Sequence, residues 1–183
     1  MILENTRESS SRKNFYCIWV KTGFEEEYVR QVQENLDSPD SPLKGTLYFL
    51  QKKMRLKTGK EFFTPFFPGY VFFETAELNE DNLSLLCEGV GFIRILPQNN
   101  DVHPLSESDL EIIQAILKFG TVIPIVHATF DVNDKIQLLD GPFNEIEAKV
   151  VAVNRRNKRV NIQVEFMNGI RLIGLTYEEA KKA

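Results

Sequence analysis

The hydrophobic pattern of this 183-residue chain changes near Asp131. Before that point, apolar residues recur at both helical and strand spacings. After it, short alternating apolar runs are separated by turn residues. The two patterns bury their apolar surfaces in different ways, so they predict two modules rather than one continuous fold.

The first part of the chain begins with a strand, a helix and a hairpin. The apolar, partly β-branched run from Phe15 to Val20 predicts a central strand buried on both faces. Apolar residues spaced by four from Phe24 to Leu36, with three glutamates in the first turn, predict an amphipathic helix. The segments Leu47 to Leu56 and Glu61 to Glu74, on either side of Thr58-Gly59, predict a long hairpin.

The rest of this part predicts two more helices and a strand. A short helix is expected over Asn82 to Cys87 and a strand over Gly91 to Leu96. A third helix is expected after Ser106, whose hydroxyl would cap it with Asp109 three residues on. Together these elements predict an α+β module, in which helices flank a small antiparallel sheet.

The second part predicts a small β-barrel, and the residues after Gly174-Leu175 predict a short C-terminal helix. We therefore expect a flexible tail over residues 1–13, a first module over 14–120, a linker over 121–130 and a barrel over 131–183. The predicted barrel strands are Val132 to Leu139, Ala148 to Val153, Val160 to Phe166 and Ile170 to Leu175.

Charge and composition limit the possible functions. The net charge of −4 argues against a chain that is basic throughout, so any contact with nucleic acid needs a local basic patch. Two such patches exist: the window from Pro42 to Lys60, which has no carboxylate, and the run Arg155-Arg156-Asn157-Lys158-Arg159. The sequence has neither a signal-peptide pattern nor an apolar run long enough to span a membrane, which predicts a cytoplasmic protein without membrane contact.

Catalysis and metal binding have little support in the sequence. Cys17 and Cys87 are far apart and form no metal-binding pair, and we expect both to be small buried apolar residues. His103 and His127 are also far apart and are expected on the surface. With no phosphate loop or nucleophile motif present, we predict no enzymatic activity, no metal and no cofactor.

Three stretches resemble the NusG family of transcription factors, in that family's order. They are Tyr16 to Glu25, the run Phe66-Phe67-Pro68-Gly69-Tyr70-Val71-Phe72-Phe73, and Asp140-Gly141-Pro142-Phe143. The first two resemble the NusG N-terminal (NGN) domain, and the chain from Asp131 onward resembles its KOW domain, an SH3-like barrel. The resemblance covers roughly residues 14 to 183.

Within the family, the sequence resembles antitermination paralogues of the LoaP type. The shared features are the basic run at 155–159, the strand Val164 to Met167, and Gly174-Leu175. Two departures stand out. Ala148 occupies a position where the KOW signature has glycine, so we expect the turn there to accept a Cβ or to change shape. The Met167-Asn168 turn lacks the Phe-Gly through which the housekeeping factor meets its partner, so that partner is not carried over.

The resemblance implies a monomeric, non-enzymatic elongation factor that docks on the clamp helices of the RNA polymerase β′ subunit and modulates pausing and termination. We expect the docking residues to form an exposed apolar cup. Because each lies on a predicted strand, the alternative is an ordinary core position. The candidate polymerase-binding residues are Trp19, Tyr70, Phe72, Phe92 and Ile95.

The resemblance also implies contacts with nucleic acid, and for the KOW domain it implies either RNA or a protein partner as the ligand. Lys21, Thr22, Lys53 and Arg55 are the candidates for non-template DNA. The candidates for an RNA hairpin are Arg155, Arg156, Lys158, Arg159 and Arg171. For both groups, the alternative is a solvated charged surface. At the level of the whole protein, the alternative is a free-standing KOW-type RNA-binding protein that does not dock on polymerase.

Overall fold

The computed structural model describes residues 13–180, so the tail predicted over residues 1–13 lies outside the described residues except for Lys13. In chain order, the elements are β1 (Asn14–Val20), α1 (Glu25–Asp37), β2 (Thr46–Tyr48), β3 (Gln51–Arg55), β4 (Glu61–Pro65), β5 (Tyr70–Thr75), α2 (Glu80–Cys87), β6 (Phe92–Ile95), β7 (Pro97–Gln98), β8 (Asp101–Val102), α3 (Glu107–Leu117), β9 (Val122–Ile123), β10 (Val126–Phe130), β11 (Ile136–Leu138), β12 (Ala148–Asn154), β13 (Arg159–Phe166) and β14 (Gly169–Glu179).

The first module is built on an antiparallel sheet with the strand order β2-β5-β1-β6. The predicted central strand is confirmed, because β1 lies between β5 and β6. Since side chains alternate along a strand, the two faces of this sheet carry separate sets of residues. Tyr16, Ile18 and Val20 pack under α1 and α2, whereas Phe15 and Cys17 face the opposite side.

The helices follow the local signals in the sequence. Helix α1 buries Tyr28, Val32 and Leu36, which recur every four residues along one side. At α3, the Ser106 side chain accepts a hydrogen bond from the Asp109 N–H, as predicted. The prediction of an α+β module with flanking helices is therefore confirmed.

The long hairpin is divided between two sheets. Strand β2 pairs with β5 in the main sheet, whereas β3 and β4 pair with each other in a three-stranded sheet of order β4-β3-β9. The predicted turn at Thr58-Gly59 is confirmed, with Gly59 at a φ of +87°. We use the name basic hairpin below for residues 51–65.

The barrel has the strand order β11-β10-β14-β13-β12, which confirms the predicted barrel class. Two local predictions were wrong. Val132 is fully exposed in a turn between β10 and β11 rather than in a strand. No C-terminal helix forms within the described residues, because β14 continues to Glu179 and its end pairs with β10.

The segment predicted as a linker, residues 121–130, contains β9 and β10. Strand β9 pairs in parallel with β3, and β10 pairs in parallel with the end of β14. The Gln51 N–H also donates to the Thr121 carbonyl at 2.8 Å. Backbone hydrogen bonds therefore tie this segment to both modules.

Candidate functional site

The face of the main sheet opposite α1 and α2 carries an aromatic surface that the barrel covers. Phe166, at the end of β13, stacks on Phe67 with ring centroids 4.4 Å apart and an interplanar angle of 13°. The same ring meets the edge of Phe72 at 5.9 Å. All three side chains are buried, so the two modules share one apolar core. We call Phe67, Tyr70, Phe72 and Phe166 the aromatic junction.

Polar contacts surround the aromatic junction. The Arg171 guanidinium lies 5.4 Å from the Tyr70 ring centroid, and its Nη2 is 3.3 Å from the Tyr70 hydroxyl. The Met167 N–H donates to Asp109 Oδ1 at 2.7 Å, which ties the β13–β14 turn to α3. Met167 and Asn168 both have positive φ in this turn. The turn thus adopts a conformation that favours glycine or asparagine, while Asp109 anchors its backbone.

Arg159 connects the barrel to the basic hairpin. Its Nη2 donates to the Arg55 carbonyl at 2.7 Å, and its Nη1 donates to the Thr176 hydroxyl. The Arg55 N–H donates to the same hydroxyl at 3.2 Å, and the Arg55 side chain forms an ion pair with Glu178. Two residues predicted to bind nucleic acid, Arg55 and Arg159, are therefore part of the contact between the modules.

The expected apolar cup is covered rather than exposed, and its five residues do not lie together. Phe72 is fully buried beneath Phe166, and Tyr70 is partly buried under Arg171. Trp19 is half-buried, with the Arg94 guanidinium 4.7 Å from its ring.

Phe92 and Ile95 lie on the opposite face of the sheet. Phe92 stacks on Tyr28 at 6.5 Å, and Ile95 is fully buried in the core beneath α1 and α2. Strand alternation and a register shift between Trp19 and Val20 separate the two groups of residues. The structure therefore brings together only Trp19, Tyr70 and Phe72.

A buried carboxylate joins two of the motifs that carry the family resemblance. Glu25 is 1% exposed; its Oε2 accepts from the Gly23 N–H at 2.6 Å and its Oε1 from the Gly69 N–H at 2.8 Å. Gly69 has a φ of +82°, and a Cβ there would lie 3.2 Å from the Val20 carbonyl oxygen. This bridge holds the turn that precedes Tyr70. Sequence reasoning placed Glu25 only in a charged first turn and missed its structural role.

The candidates for DNA contact differ in their availability. Lys21 and Thr22 are exposed beyond the end of β1, and the Lys21 ammonium lies 5.2 Å from the Phe24 ring. Lys53 and Arg55 both form ion pairs with Glu61 across the basic hairpin. The hairpin charge is therefore partly neutralised within the module.

The candidates for RNA contact also differ in their availability. Arg155 pairs with Asp134 and lies 3.8 Å from the Phe130 ring, while Lys158 pairs with Glu179. Arg159 and Arg171 contact the first module, as described above. Arg156 is exposed and forms no ion pair with any residue in the range 13–180. Of the five candidates, Arg156 is the one that the described residues leave free for a ligand.

Lys52, on β3, lies where the basic hairpin meets the barrel. Burial, with a smaller effect of the nearby Arg159 charge, lowers its pKa to about 8. Its ammonium group is 5.9 Å from the Phe66 ring centroid. The closed arrangement therefore places this cation in surroundings that disfavour its charge.

The remaining titratable groups do not form a catalytic or metal-binding cluster within the described range. His103 pairs with Asp101, and His127 pairs with Asp140, which raises the pKa of His127. Among residues 13–180, no group of three or more His, Cys, Asp or Glu side chains could hold a metal ion. None of the helices in that part of the chain is both long and apolar enough to cross a membrane.

The expectations for Ala148 and for the two cysteines have simple structural outcomes. Ala148 is the first residue of β12, opposite Val164, and is absent from the positive-φ positions. It needs no glycine conformation. Cys17 is buried, as expected, whereas Cys87 is only half-buried; both are free thiols.

Comparisons with known proteins agree with this architecture. Residues 13–114 match the family model described as transcription termination factor nusG. The chain is 23% identical over 177 residues to the transcription termination/antitermination protein NusG of Neisseria meningitidis serogroup B, covering 93% of this chain and 98% of that protein. It is 24% identical over 182 residues to the protein of the same name from Buchnera aphidicola subsp. Baizongia pistaciae, covering 94% and 98%.

A solved structure described as domain interaction in Thermotoga maritima NusG has the same fold. It matches with a TM-score of 0.62 at 14% identity, covering 90% of this chain and 94% of that one. The family model spans more than half of the present chain, and the curated relatives are matched over nearly their whole length. The chain therefore belongs to the NusG family of transcription termination and antitermination factors.

Proposed function

We propose that this protein modulates transcriptional pausing and termination by docking on RNA polymerase through the aromatic face of its first module. The observation that carries this proposal is that a single barrel side chain, Phe166, stacks on Phe67 and meets Phe72 edge-on. Buried aromatic residues concentrate binding energy at interfaces, and the clamp helices of β′ are the partner that the family resemblance implies. Tyr70 and Trp19 extend the same face toward solvent.

Docking through this face requires the barrel to move away. In the closed arrangement, Phe166 occupies the position that an apolar side chain of the polymerase would take. The cost of opening includes exposure of three aromatic rings and loss of the Arg159 and Arg171 contacts. Only open molecules would be able to bind, and they would be a minor fraction of the total. The apparent affinity for polymerase would therefore be lower than that of the open form, in proportion to this fraction.

The released barrel would then be available for RNA. Opening would free Arg159 and Arg171 to join Arg156, giving a basic surface suited to phosphates. Lys21 and Thr22 stay exposed whether or not the barrel is docked, and we propose that they approach the non-template DNA strand. The acidic overall charge argues against the alternative of a free-standing RNA-binding protein.

Substitution of Phe166 tests this proposal. We expect Phe166→Glu to open the modules and to increase the affinity for core RNA polymerase at least tenfold. Adding Tyr70→Ala to the opened variant should reverse most of that gain. Ile170→Glu, which places the same charge at a position that is already 64% exposed, is the matched control and should bind like the parent chain.

The state of the modules is measured separately by amide hydrogen exchange at Arg55 and Met167, whose N–H groups donate across the two modules to Thr176 and Asp109. If exchange shows an opened molecule but the affinity for polymerase does not rise, the proposed docking face is wrong. The same conclusion follows if Tyr70→Ala has no effect in the opened variant. Retained exchange protection in β12 and β13 shows that the barrel itself has stayed folded.

A further inference from the structure

A cleft of about 670 Å³ lies between the turn of the basic hairpin and the barrel. Its volume falls within the range of roughly 300 to 1,000 Å³ that is typical of ligand sites. Arg55, Lys57 and Gly59 line it from the first module, and Arg156, Lys158 and Tyr177 are among the residues that line it from the barrel. The cleft therefore exists only while the two modules are in contact.

The cleft has a surplus of positive charge that is not neutralised internally. Arg55 pairs with Glu178 and Lys158 pairs with Glu179, so these four residues balance one another. Lys57 and Arg156 also line the cleft, and both are exposed and form no ion pair with any residue the structure describes. One free cation thus comes from each module, which suits a ligand with repeated negative charges.

Two residues that line the cleft, Tyr177 and Asn157, each carry a buried polar atom without a partner. The Tyr177 hydroxyl and Asn157 Oδ1 have no hydrogen-bond partner within residues 13–180, and because both atoms are buried, a ligand in the cleft would reach them only after these side chains shift. An unsatisfied buried polar group costs about 1 to 3 kcal/mol, so such atoms call for an explanation. A hydroxyl can donate to a phosphate oxygen, and an amide oxygen can accept from a ribose hydroxyl.

The geometry of the barrel turn favours a fixed site. The Asn154 side chain accepts from the Asn157 N–H at 3.1 Å, and the Tyr177 N–H donates to the Lys158 carbonyl at 3.0 Å. Lys158 closes the turn in the left-handed region, with a φ of +51°. The backbone that carries Arg156 and Asn157 is therefore held in place before any ligand arrives.

We propose that this cleft binds the phosphodiester backbone of single-stranded RNA and holds the two modules closed. Lys57 and Arg156 neutralise successive phosphates, while Tyr177 and Asn157 make the short-range hydrogen bonds once their side chains have shifted toward the ligand. The inference rests on the proposed function but adds a second RNA contact, which forms in the closed arrangement and is distinct from the surface that the released barrel would present. By linkage, RNA in the cleft and polymerase on the aromatic face oppose each other, because one requires the closed arrangement and the other the open one.

Binding of a fluorescently labelled single-stranded RNA to the full chain tests this inference. We expect Lys57→Glu and Arg156→Glu each to weaken affinity about tenfold and each to reduce the slope of log K against log salt by about one. Lys149→Glu, an exposed barrel substitution outside the cleft, is the matched control and should change affinity by less than about threefold.

The opening variant Phe166→Glu separates a shared site from a barrel-only site. If the cleft is the site, Phe166→Glu weakens RNA binding as much as Lys57→Glu does, and adding Lys57→Glu to it has no further effect. If Arg156→Glu weakens binding but Lys57→Glu and Phe166→Glu do not, RNA binds the barrel alone. That outcome overturns this inference and leaves the proposed function intact.

Two further measurements complete the test. Tyr177→Phe should weaken RNA binding by about threefold without destabilising the free protein, because it removes a hydroxyl that lacks a partner. Single-stranded DNA of the same sequence should depend on Lys57 and Arg156 in the same way, since both ligands carry the same phosphates. If substitutions at Lys57, Arg156 and Phe166 all leave the RNA affinity unchanged, both the RNA site in the cleft and the RNA contact under the proposed function are wrong.

Discussion

Replacement of Glu25 by alanine is expected to destabilise the first module by about 3 kcal/mol. The Glu25 carboxylate accepts two backbone hydrogen bonds, from Gly23 at 2.6 Å and Gly69 at 2.8 Å. Because the side chain is 1% exposed, water cannot easily replace either bond in the folded protein. The substitution leaves both N–H groups without their acceptor.

The magnitude follows from these two bonds. A hydrogen bond to a charged group contributes about 1.5 to 3 kcal/mol, so two give roughly 3 to 6 kcal/mol. Relaxation of the turns toward water recovers part of this, which leaves about 3 kcal/mol. Glu25→Gln keeps one acceptor oxygen and should lose about half as much.

Urea denaturation followed by tryptophan fluorescence measures the effect, since Trp19 lies on the strand that leads into this region. Glu26→Ala is the matched control, because Glu26 is exposed in the same first turn of α1. It shares the helix-dipole contribution of about 0.3 to 1 kcal/mol but lacks the buried bonds. A difference of less than about 1 kcal/mol between Glu25→Ala and Glu26→Ala would refute the reasoning.

Three other substitutions test separate parts of the structure. Lys52→Met should stabilise the closed molecule at pH 7 by up to about 3 kcal/mol, because burial lowers the pKa of Lys52 from 10.5 to about 8. In the parent chain, this destabilisation should be complete below pH 8 and should be relieved as pH rises from 8 to 10.5, as measured by urea denaturation across that range. His127→Gln should remove the stability that the Asp140 hydrogen bond provides at low pH; since this bond raises the pKa of His127, the contribution is complete below pH 6.5 and lost as pH rises through the raised value. A thermal-denaturation difference from the parent chain that is equal at pH 5.5 and 8.5 would contradict this. Gly69→Ala should cost more stability than Gly59→Ala, because both have positive φ, worth about 1 to 2 kcal/mol, but only the Cβ at Gly69 meets neighbouring atoms; equal urea midpoints would argue against it.

Much of the secondary structure could be predicted because its signals are local. The spacing of apolar residues in α1, the Ser106 cap of α3 and the Thr58-Gly59 turn each depend on a few neighbouring residues. The barrel strands β12 and β13 were predicted within one residue at each end for the same reason. Patterns of this kind express intrinsic preferences of the chain and need no distant partner.

Strands that depend on a distant partner were harder to predict. The segment Tyr177 to Glu179 lacks a strong strand pattern, yet it is a strand because β10 pairs alongside it. Val122–Ile123 is a strand for a similar reason, since the edge of β3 supplies its partner. Neither pairing leaves a signal in the sequence around the paired residues.

The candidate site shows the same limit. The sequence identified Tyr70 and Phe72 through a motif, but it could not show which face of the sheet each candidate would occupy. Strand alternation places Ile95, opposite Ile18, in the other core, and the register shift after Trp19 places Phe92 there as well. Glu25 was missed because its partner Gly69 is 44 residues away.

By itself, the sequence determined the two modules, their fold classes and the family, since periodicity, turn residues and short motifs are all properties of neighbouring residues. Only the tertiary structure decided that the barrel covers the aromatic face, that Arg159 joins the modules rather than facing solvent, and that Lys57 and Arg156 share a cleft. These features arise from contacts between segments about 100 residues apart. Their stability depends on how the surfaces fit together, which no local pattern encodes.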